Sequence, residues 1–353
     1  MNEENLFEPV PTDDEEVGVE KKLRPGTLRE FIGQRRLVDN LRVAIESARQ
    51  RDDVLDHILF SGMPGLGKTT LANLISTEMD VHLRTTSGPI LQKGKDIVGL
   101  LTDLGRGDVL FIDEIHRMST ESEEYLYSAM EDYAVDIVLD HGPDARSFRI
   151  SVEPFTLVGA TTREGLLSEP FRSRFGITEK LELYPPSDLR EIILRSAEVL
   201  SCSIGAEAAR ILAERCRGTP RYANRFLRRI RDVAQYRSEN NVDRLELSSA
   251  DVMEGLQRLG VDEHGLDRVD RKILEVLLSH NQPVGLKTLA VSVGEEERTV
   301  EDVYEPYLIQ RGMLLRTPRG RRASARAEEC YAPLASGDRL TEEGVHQQEF
   351  RLP

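Results

Sequence analysis

The feature that most constrains this sequence is the segment GMPGLGKT at residues 62–69, which matches the pattern G-x-x-x-x-G-K-[ST]. The apolar run HILF precedes it and TTLANLI follows with helical spacing, so the segment is predicted to join a strand to a helix. Glycines in such a loop let backbone N–H groups surround phosphate oxygens, while the lysine reaches the β and γ oxygens. The predicted nucleotide-binding residues are Gly62, Gly65, Gly67, Lys68, Thr69 and Thr70.

A second apolar stretch, DVLFIDE, ends in two acids, Asp113 and Glu114. Asp113 can hold Mg²⁺ together with the hydroxyl of Thr69, so these two residues are the predicted metal ligands. Glu114 is placed to activate an attacking water, which favours ATP hydrolysis because a switch that only binds has no need of this glutamate. An acidic cap on a strand end is the alternative. His116 is either a partner of these acids or a structural histidine.

The order of the elements predicts an α/β protein of several domains. Strands alternate with helices over residues 21–183, which indicates a parallel sheet whose ligand-binding edge lies at the carboxyl ends of the strands. Over residues 184–262 the strand signals vanish, and a small helical domain begins with Ser187 or Asp188 as the N-cap. Residues 263–335 follow with helices and then two short strands around a basic turn, which is the topology of a winged helix.

The net charge of −15 is concentrated near the two ends of the sequence. Residues 1–20 contain eight acids and no base and are predicted to form a disordered tail, and residues 336–353 form a second tail. Without residues 1–20 and 327–353 the net charge is about −3, so the folded body can meet an anionic partner. Three cysteines without metal spacing, no secretory leader and no run of membrane-spanning length predict a soluble cytoplasmic protein without membrane partners.

Several motifs occur in the order found in the AAA+ ATPases: GMPGLGKT, FIDEIH, GATT, FRSRFG and GTPRYANR. The chain resembles that family, and longer stretches such as GATTREGLLSEPFRSRFGI and EERTVEDVYEPYLIQRGMLLRTPRGR resemble its bacterial motors for Holliday-junction branch migration. This similarity runs from about residue 21 to about residue 330. It implies a P-loop NTPase core with a parallel sheet, a helical lid domain and a C-terminal winged-helix domain, assembled as a homo-hexameric ring.

The resemblance also implies roles for residues outside the P-loop. Thr161 and Thr162 occupy the sensor 1 position, and Thr162 is predicted to act on the hydrolytic water. Arg221 occupies the sensor 2 position and would reach the γ-phosphate from the lid. Arg174 occupies the position of an arginine finger that enters the nucleotide site of a neighbouring subunit, with Arg172 as its rival. The implied neighbours of adenine and ribose are Leu23, Arg24 and Tyr184, with the main chain of Glu131, Asp132 and Tyr133 nearby.

Residues 133–150, YAVDIVLDHGPDARSFRI, are predicted to form a β-hairpin inserted in the first domain. Its apolar residues Ile137, Val138 and Leu139 would be exposed unless a partner covers them. The resemblance implies that this partner is a RuvA-like junction-binding protein, and that a RuvC-like resolvase is a further partner. A hairpin packed on its own domain is the alternative.

The segment LLRTPRGRRASAR at residues 314–326 holds five arginines and no acid. Its arginines could follow the phosphate backbone of duplex DNA, which gives affinity without sequence preference. No aromatic residue lies between them, which disfavours stacking on single-stranded bases. A solvated loop is the alternative. The predicted DNA contacts are Arg298, Arg316, Arg319 and Arg321, with Arg322 beside them.

The motifs together predict an ATP-dependent DNA translocase that drives branch migration of four-way junctions, with ATP and Mg²⁺ as cofactors. The alternative is a nucleotide-gated DNA-binding switch of the replication-initiator type, since such proteins also combine an AAA+ core with a winged helix. Continuous, duplex-stimulated ATP turnover distinguishes the motor from the switch. A clamp loader is disfavoured because it has no need of a winged helix on every subunit.

Overall fold

The structure, a computed structural model, describes Gly18 and residues 22–138, 147–237 and 245–335. The chain divides into two compact units, Met1–Arg258 and Leu259–Pro353. The predicted tails therefore lie outside the described residues, apart from Gly18. The tip of the predicted hairpin, residues 139–146 with Leu139, lies outside them as well.

A parallel sheet forms the centre of the first unit. Among the described residues it contains five strands in the order β2-β3-β6-β1-β7. Their bounds are β1 Ile58–Ser61, β2 Leu83–Ser87, β3 Val109–Asp113, β6 Thr156–Thr161 and β7 Ile177–Lys180. The three central strands are almost wholly buried, while the edge strands β2 and β7 are partly exposed. Uninterrupted apolar runs such as VLFI suit strands that are covered on both faces. The predicted α/β class is confirmed.

Helices cover this sheet, and their bounds are α1 Arg35–Arg51, α2 Lys68–Met79, α3 Gly94–Thr102, α4 Thr120–Asp132 and α5 Glu169–Arg172. Short 3-10 turns lie at Gly88–Ile90, Ile115–Arg117 and Glu164–Leu166. Phe155, Phe171 and Leu126 belong to the apolar cluster beneath them, and each is at most 1% exposed. Burial of such side chains contributes roughly 1.5–3 kcal/mol each, which fixes the strand ends that carry the polar residues.

The predicted hairpin is present in its described part. Strand β4, Ala134–Val138, pairs antiparallel with β5, Ser147–Ser151. Ala134 and Val135 at its base are buried, whereas Phe148 on the second strand is 50% exposed. The hairpin is thus anchored at its base and carries an exposed aromatic side chain further out.

The lid region of the first unit is built mainly of helices, α6 Pro186–Val199, α7 Ala206–Ala213, α8 Pro220–Arg237 and α9 Ser249–Arg258. The prediction that strands vanish here was wrong, because β8, Cys202–Ile204, pairs in parallel with β9, Leu245–Leu247. Three-residue strands are too short to produce a recognisable alternation in sequence. The predicted N-cap was also wrong: α6 begins at Pro186, and Pro185 holds the cap position with extended backbone. Proline is well suited to a first helical position because the N–H it lacks has no acceptor there.

The second unit has the predicted winged-helix topology. Its helices are α10 Arg268–Ser279, α11 Leu286–Val293, α12 Glu297–Thr299, α13 Glu305–Gln310 and α14 Ala325–Ala335, with a π-helical stretch at Val300–Tyr304. Strands β10, Leu314–Thr317, and β11, Gly320–Ala323, pair antiparallel and form the wing. Val284 bridges to Arg321 on the wing, where Gly320 has φ +138° and leaves no room for a Cβ. None of the described helices is long and apolar enough to cross a membrane.

Candidate active site

The P-loop lies between β1 and α2, and its three glycines have positive φ: Gly62 at 139°, Gly65 at 80° and Gly67 at 103°. A Cβ at Gly62 would lie 2.7 Å from the carbonyl oxygen of Leu181, and one at Gly65 would lie 2.8 Å from Cβ of Arg221. Both the backbone angles and the space therefore require glycine. The loop ends at the N-terminus of α2, where free N–H groups and the helix dipole favour an anion.

Lys68, the first residue of α2, is 7% exposed, and its ammonium group donates to the carbonyl oxygens of Gly62 (2.7 Å) and Met63 (2.9 Å). Burial lowers the pKa of Lys68 to about 8, an effect that the carboxylates of Asp113 and Glu114 oppose. A bound phosphate would add a further negative charge beside this buried cation, next to the carboxylates of Asp113 and Glu114. The site is thus electrostatically prepared for a polyphosphate.

Asp113 and Glu114 lie at the carboxyl end of β3, next to the P-loop. The Glu114 N–H donates to Oδ1 of Asp113 over 3.0 Å, and Glu114 itself adopts the left-handed conformation with φ 47°. Thr69 and Asp113 line the same pocket of about 240 Å³. A hydroxyl and a carboxylate are hard oxygen donors, and Mg²⁺ typically takes only one or two of these from a protein when substrate phosphates complete its shell. These residues therefore fit the predicted Mg²⁺.

The carboxylate of Glu114 is surrounded by polar groups from the end of the neighbouring strand β6 and from the 3-10 turn Ile115–Arg117. Thr162 donates its hydroxyl to Oε2 of Glu114 over 3.4 Å, and Nε2 of His116 lies 3.5 Å from the same oxygen. The other ring nitrogen of His116 lies 2.9 Å from the hydroxyl of Thr161. Burial first, and then the charge of Asp113, raises the pKa of Glu114 above its ordinary value, which makes this carboxylate a stronger base. His116 thus connects Thr161 to Glu114, whereas Thr162 contacts Glu114 directly.

Arg221 enters the pocket from the lid. It is the second residue of α8, and Pro220 and Asn224 of the same helix line the pocket beside it. The close approach of Arg221 to Gly65 places its side chain at the mouth of the P-loop. The structure therefore brings together Arg221 with Lys68, Asp113 and Glu114, as the sequence predicted. Asn224 was missed because nothing in its sequence context separates it from the other polar residues of an amphipathic helix.

The segment that includes Leu23 and Arg24 forms another wall of the pocket. Arg195 of α6 holds this segment by donating to the carbonyl oxygens of Leu23 and of Glu30, the latter over 3.3 Å. From the core side, Glu78 of α2 accepts the N–H of Leu28 over 3.1 Å. The wall is thus tied both to the lid and to the core. Sequence reasoning missed Arg195 because its partner Leu23 lies 172 positions away.

Tyr184 lies beneath the pocket rather than in its lining. Its hydroxyl donates to the carbonyl oxygen of Leu66 in the P-loop over 3.2 Å, and its N–H donates to the carbonyl of Gly218 over 2.8 Å. The side chain is 4% exposed, and burial raises the pKa of its hydroxyl, so that it stays a neutral donor. Tyr184 therefore connects the loop that holds phosphate to the junction of core and lid.

Arg174 and residues 131–133 lie apart from the pocket formed by the described residues. The guanidinium of Arg174 donates to the carboxylate of Glu131 over 2.5 Å and to the hydroxyl of Tyr127 over 2.6 Å. Glu131, Asp132 and Tyr133 lie at the C-terminal end of α4, and none of them lines the pocket. The interpretation that they approach the adenine of their own chain is therefore not supported.

The predicted DNA-binding arginines divide into two groups. Arg316 and Arg321 face each other across the wing and both pair with the buried carboxylate of Glu305 on α13. Arg319 at the turn, Arg322 and Arg298 are exposed and do not contact Glu305 in the described structure, whereas Arg316 is exposed but paired with it. The alternation of side chains along a strand explains the division, because positions 314, 316, 321 and 323 share the face that packs on the unit and position 322 lies on the other face. The strip is therefore less uniform than its sequence indicates.

A glycine loop at a helix N-terminus, adjacent strands that end in acids and a hydroxyl, and an arginine from a helical lid define an ATPase of the AAA+ class. Three family models match consecutive parts of the chain. They describe the Holliday junction DNA helicase RuvB P-loop domain at residues 23–181, the RuvB AAA lid domain at residues 184–262 and the RuvB C-terminal winged helix domain at residues 263–331. The chain belongs to the RuvB family. The AAA+ resemblance and the predicted fold class are confirmed.

Relatives in this family are similar over nearly the whole chain. The Holliday junction branch migration complex subunit RuvB of Chlorobium luteolum is 55% identical over 321 residues, which cover 90% of this chain and 92% of the relative. The RuvB subunit of Nitratidesulfovibrio vulgaris is 53% identical over 313 residues, with 88% and 96% covered. A solved structure of Thermotoga maritima RuvB, a Holliday junction branch migration motor, matches with a TM-score of 0.78 at 47% identity, covering 88% of this chain and 98% of that one.

Proposed function

We propose that this chain is the ATP-driven motor subunit that moves the branch point of Holliday junctions in recombination and DNA repair. The observation that carries the proposal is the convergence of Lys68, Asp113, Glu114 and Arg221 on one pocket, in a chain whose second unit is a winged helix. Relatives named as subunits of the Holliday junction branch migration complex support the same substrate. Because branch migration acts on chromosomal DNA, we propose that the protein works in the cytoplasm.

Within one subunit, the P-loop and Lys68 hold the β- and γ-phosphates, and Arg221 contacts the γ-phosphate from the lid. Thr69 and Asp113 would hold Mg²⁺, which neutralises charge on the phosphates when bound. Glu114 accepts a proton from the attacking water, and Thr162 keeps its carboxylate oriented through the hydrogen bond to Oε2. The proton acceptor is effective because burial raises its pKa. Loss of the γ-phosphate then releases the lid arginine.

The subunits work as a ring, which we take to be a homo-hexamer, because the candidate finger Arg174 is not among the residues that line the nucleotide pocket of its own chain. Arg174 pairs with Glu131 instead, and residues 131–133 do not line the pocket either. In the proposed ring they reach the nucleotide of a neighbour, where an arginine stabilises charge in the transition state and contributes about 10³–10⁵ in rate. Hydrolysis in one subunit is thereby coupled to the position of the next.

The hairpin β4–β5 is the proposed docking site for a RuvA-like junction-binding protein. Its base is packed into the core, while the side chain of Phe148 is 50% exposed and offers an aromatic anchor. The winged helix grips the duplex arms of the four-way junction through the exposed arginines Arg298, Arg316, Arg319 and Arg322, with the more buried Arg321 behind them. A RuvC-like resolvase would act on the same junction. In this proposal the core, residues 21–183, holds the phosphates and activates water. The lid, residues 184–262, contacts the γ-phosphate, and the winged helix, residues 263–335, binds DNA.

Conversion of a synthetic four-way junction into two duplexes tests this function directly. Wild-type protein with a RuvA-like partner and ATP should convert the junction, and Lys68→Ala should not, because it lacks the phosphate-binding cation. Phe148→Ala should lose conversion while keeping ATP turnover, since it affects only docking. ATP turnover that is slow, single-round and indifferent to duplex DNA would contradict the motor and favour a nucleotide-gated switch.

A further inference from the structure

The wing contains an internal ion-pair cluster between strands β10 and β11 and the helical stretch in front of them. Nε of Arg316 donates to Oε2 of Glu305 over 2.8 Å, and Nη2 of Arg321 donates to the same oxygen over 3.2 Å. Nε of Arg321 donates to the other oxygen, Oε1. Glu305 is fully buried, and Arg321 keeps only 15% of its side chain exposed. A carboxylate taken out of water requires such partners, so Glu305 is a permanent anchor of the wing.

Glu301 differs from Glu305 in exposure although it contacts the same arginines. Its Oε1 accepts from Nη2 of Arg316 over 3.0 Å and lies 3.9 Å from Nη2 of Arg321. Its side chain is 31% exposed, and that of Arg316 is 50% exposed. An exposed pair of this kind exchanges partners readily, because its net stabilisation is small. The Arg316–Glu301 contact is therefore the replaceable half of the cluster.

The helical stretch has a local reason to present both acids to the wing. Pro306 has no N–H, so the carbonyl of Asp302 lacks the donor it would have in a regular α-helix. The preceding residues Val300–Tyr304 adopt π-helical hydrogen bonding instead. Such widened turns are found most often at functional sites. Here the widened turn carries Glu301, and Glu305 follows it directly.

We propose that Glu301 is a built-in competitor of DNA at the wing: it holds Arg316 in the free protein and is displaced by a backbone phosphate when duplex DNA binds. Arg316 keeps its contact with Glu305 throughout, so the guanidinium stays positioned while it changes its second partner. This inference rests on the proposed role of the wing in gripping duplex DNA. A grip weakened by its own carboxylate suits a motor, because each subunit must release DNA as well as hold it.

The physical consequence is a specific gain of function. A phosphate that approaches Arg316 meets the negative charge of Glu301 within a few ångströms, and this repulsion is reduced only partly by solvent. In addition, Glu301 neutralises Arg316 before DNA arrives, so fewer counterions are released on binding. Glu301→Gln removes both effects without changing the size of the side chain. The variant should bind duplex about three- to tenfold more tightly. Its log affinity should also fall more steeply with log salt concentration, by a slope of about one, because about one more counterion is released.

Fluorescence anisotropy with a labelled duplex of random sequence tests the proposal on the full chain, over a series of salt concentrations and with a non-hydrolysable ATP analogue. Glu297→Gln is the matched control, because it removes one charge from the same helical stretch and contacts neither wing arginine in the described structure. It should change affinity by less than about twofold. A gain in stability or a loss of folding in either variant is checked by thermal unfolding.

The double variant Arg316→Ala with Glu301→Gln tests whether the gain in duplex affinity depends on Arg316. Arg316→Ala should weaken binding, and adding Glu301→Gln to it should produce a much smaller gain than in the wild-type background, because only the repulsion of the phosphate by Glu301 is then removed. A gain that is as large without Arg316 as with it, or an affinity for Glu301→Gln no tighter than wild type, would overturn the proposal. Arg319→Ala and Arg322→Ala distinguish a failure of the competitor proposal from a failure of the proposed function. If both leave duplex affinity unchanged, the wing is not the DNA surface and the proposed function fails at this point too; if they weaken it, only the competitor is at stake.

Discussion

Arg174 donates to Glu131 over 2.5 Å within its own chain. Its guanidinium also lies 4.7 Å from the centre of the Tyr127 ring and donates to the hydroxyl of that tyrosine. The side chains of Arg174 and Glu131 stay 33% and 42% exposed, so a phosphate can compete for the arginine. In the proposed ring, this pair keeps the finger in a defined position until a neighbour binds nucleotide.

Arg174→Ala should therefore lose about 10³–10⁵ in ATP turnover while ATP affinity changes by less than about threefold, because the finger acts on the transition state. Arg174→Lys should also be inactive, since an ammonium cannot reproduce the planar fork of donors. Steady-state kinetics measure ATP turnover, and titration with a fluorescent nucleotide measures nucleotide affinity. Arg172→Ala is the matched control, and a loss as large as that of Arg174→Ala would shift the finger to the rival residue.

The raised pKa of Glu114 predicts that the acid limb of the pH profile of ATP turnover lies at a higher pH than for an ordinary glutamate. The carboxylate must be deprotonated to accept a proton, so kcat/KM falls as the pH drops through the pKa of the free enzyme. Because burial and Asp113 raise that pKa, the fall begins at a higher pH than for an ordinary glutamate. The hydrogen bond from Thr162 lowers the pKa, so Thr162→Val should move the acid limb further upward.

Comparison of wild type and Thr162→Val across the same pH series removes the titration of ATP itself from the result. Glu114→Gln should lose about 10²–10⁴ in turnover at every pH and show no acid limb. An acid limb that stays fixed, or moves to lower pH in Thr162→Val, would show that another group controls the profile.

Arg195→Gln tests whether the wall of the nucleotide pocket is held from the lid. The change removes the charged donor to the carbonyls of Leu23 and Glu30, and hydrogen bonds to charged groups contribute about 1.5–3 kcal/mol. Since Arg195 is half-buried, we expect the lower part of that range, which appears as a KM for ATP about tenfold higher with kcat within about twofold. Arg190→Gln, at an exposed position of the same helix, should behave as wild type. An unchanged KM in Arg195→Gln would exclude this role.

Gly65→Ala should abolish tight nucleotide binding without unfolding the chain. Its φ of +80° costs a side chain about 1–2 kcal/mol, and the new Cβ would lie 2.8 Å from that of Arg221, so the P-loop must move away from the lid arginine. Gly99→Ala in α3 is the control, because no atom lies within 4 Å of its added Cβ. That variant should gain about 0.5–1 kcal/mol in unfolding free energy. Titration of a fluorescent ATP analogue and thermal unfolding give the two measurements.

Features that are contiguous in sequence were predicted correctly. The P-loop needs only its own glycines and the flanking strand and helix, so Gly62, Gly65 and Gly67 have the positive φ angles that phosphate binding requires. Asp113 and Glu114 could be placed beside it because the carboxyl ends of parallel strands meet at one edge. The fold class follows from the same local alternation of strands and helices.

Features that depend on distant or buried partners were not predictable. Nothing around Arg195 reveals that its acceptors lie on the N-terminal segment, and nothing around Glu305 reveals that its carboxylate is fully buried beneath the wing. The five arginines of the strip look alike in sequence, yet pleating turns Arg316 and Arg321 towards that acid. The contact between Glu131 and Arg174 was not predictable either, because the two residues are far apart in sequence.

Each working site is shared between two subunits in the proposed ring, and a mixture of two inactive variants tests this sharing. Glu114→Gln keeps its finger but cannot activate water, and Arg174→Ala keeps its glutamate but has no finger. If Arg174 acts in trans, a mixture contains sites with an intact Glu114 facing a neighbour's intact Arg174, and ATP turnover should reappear at a substantial fraction of the wild-type rate. If every mixing ratio stays as inactive as the separate variants, although mixed rings form, the finger serves its own subunit and the shared-site account is wrong.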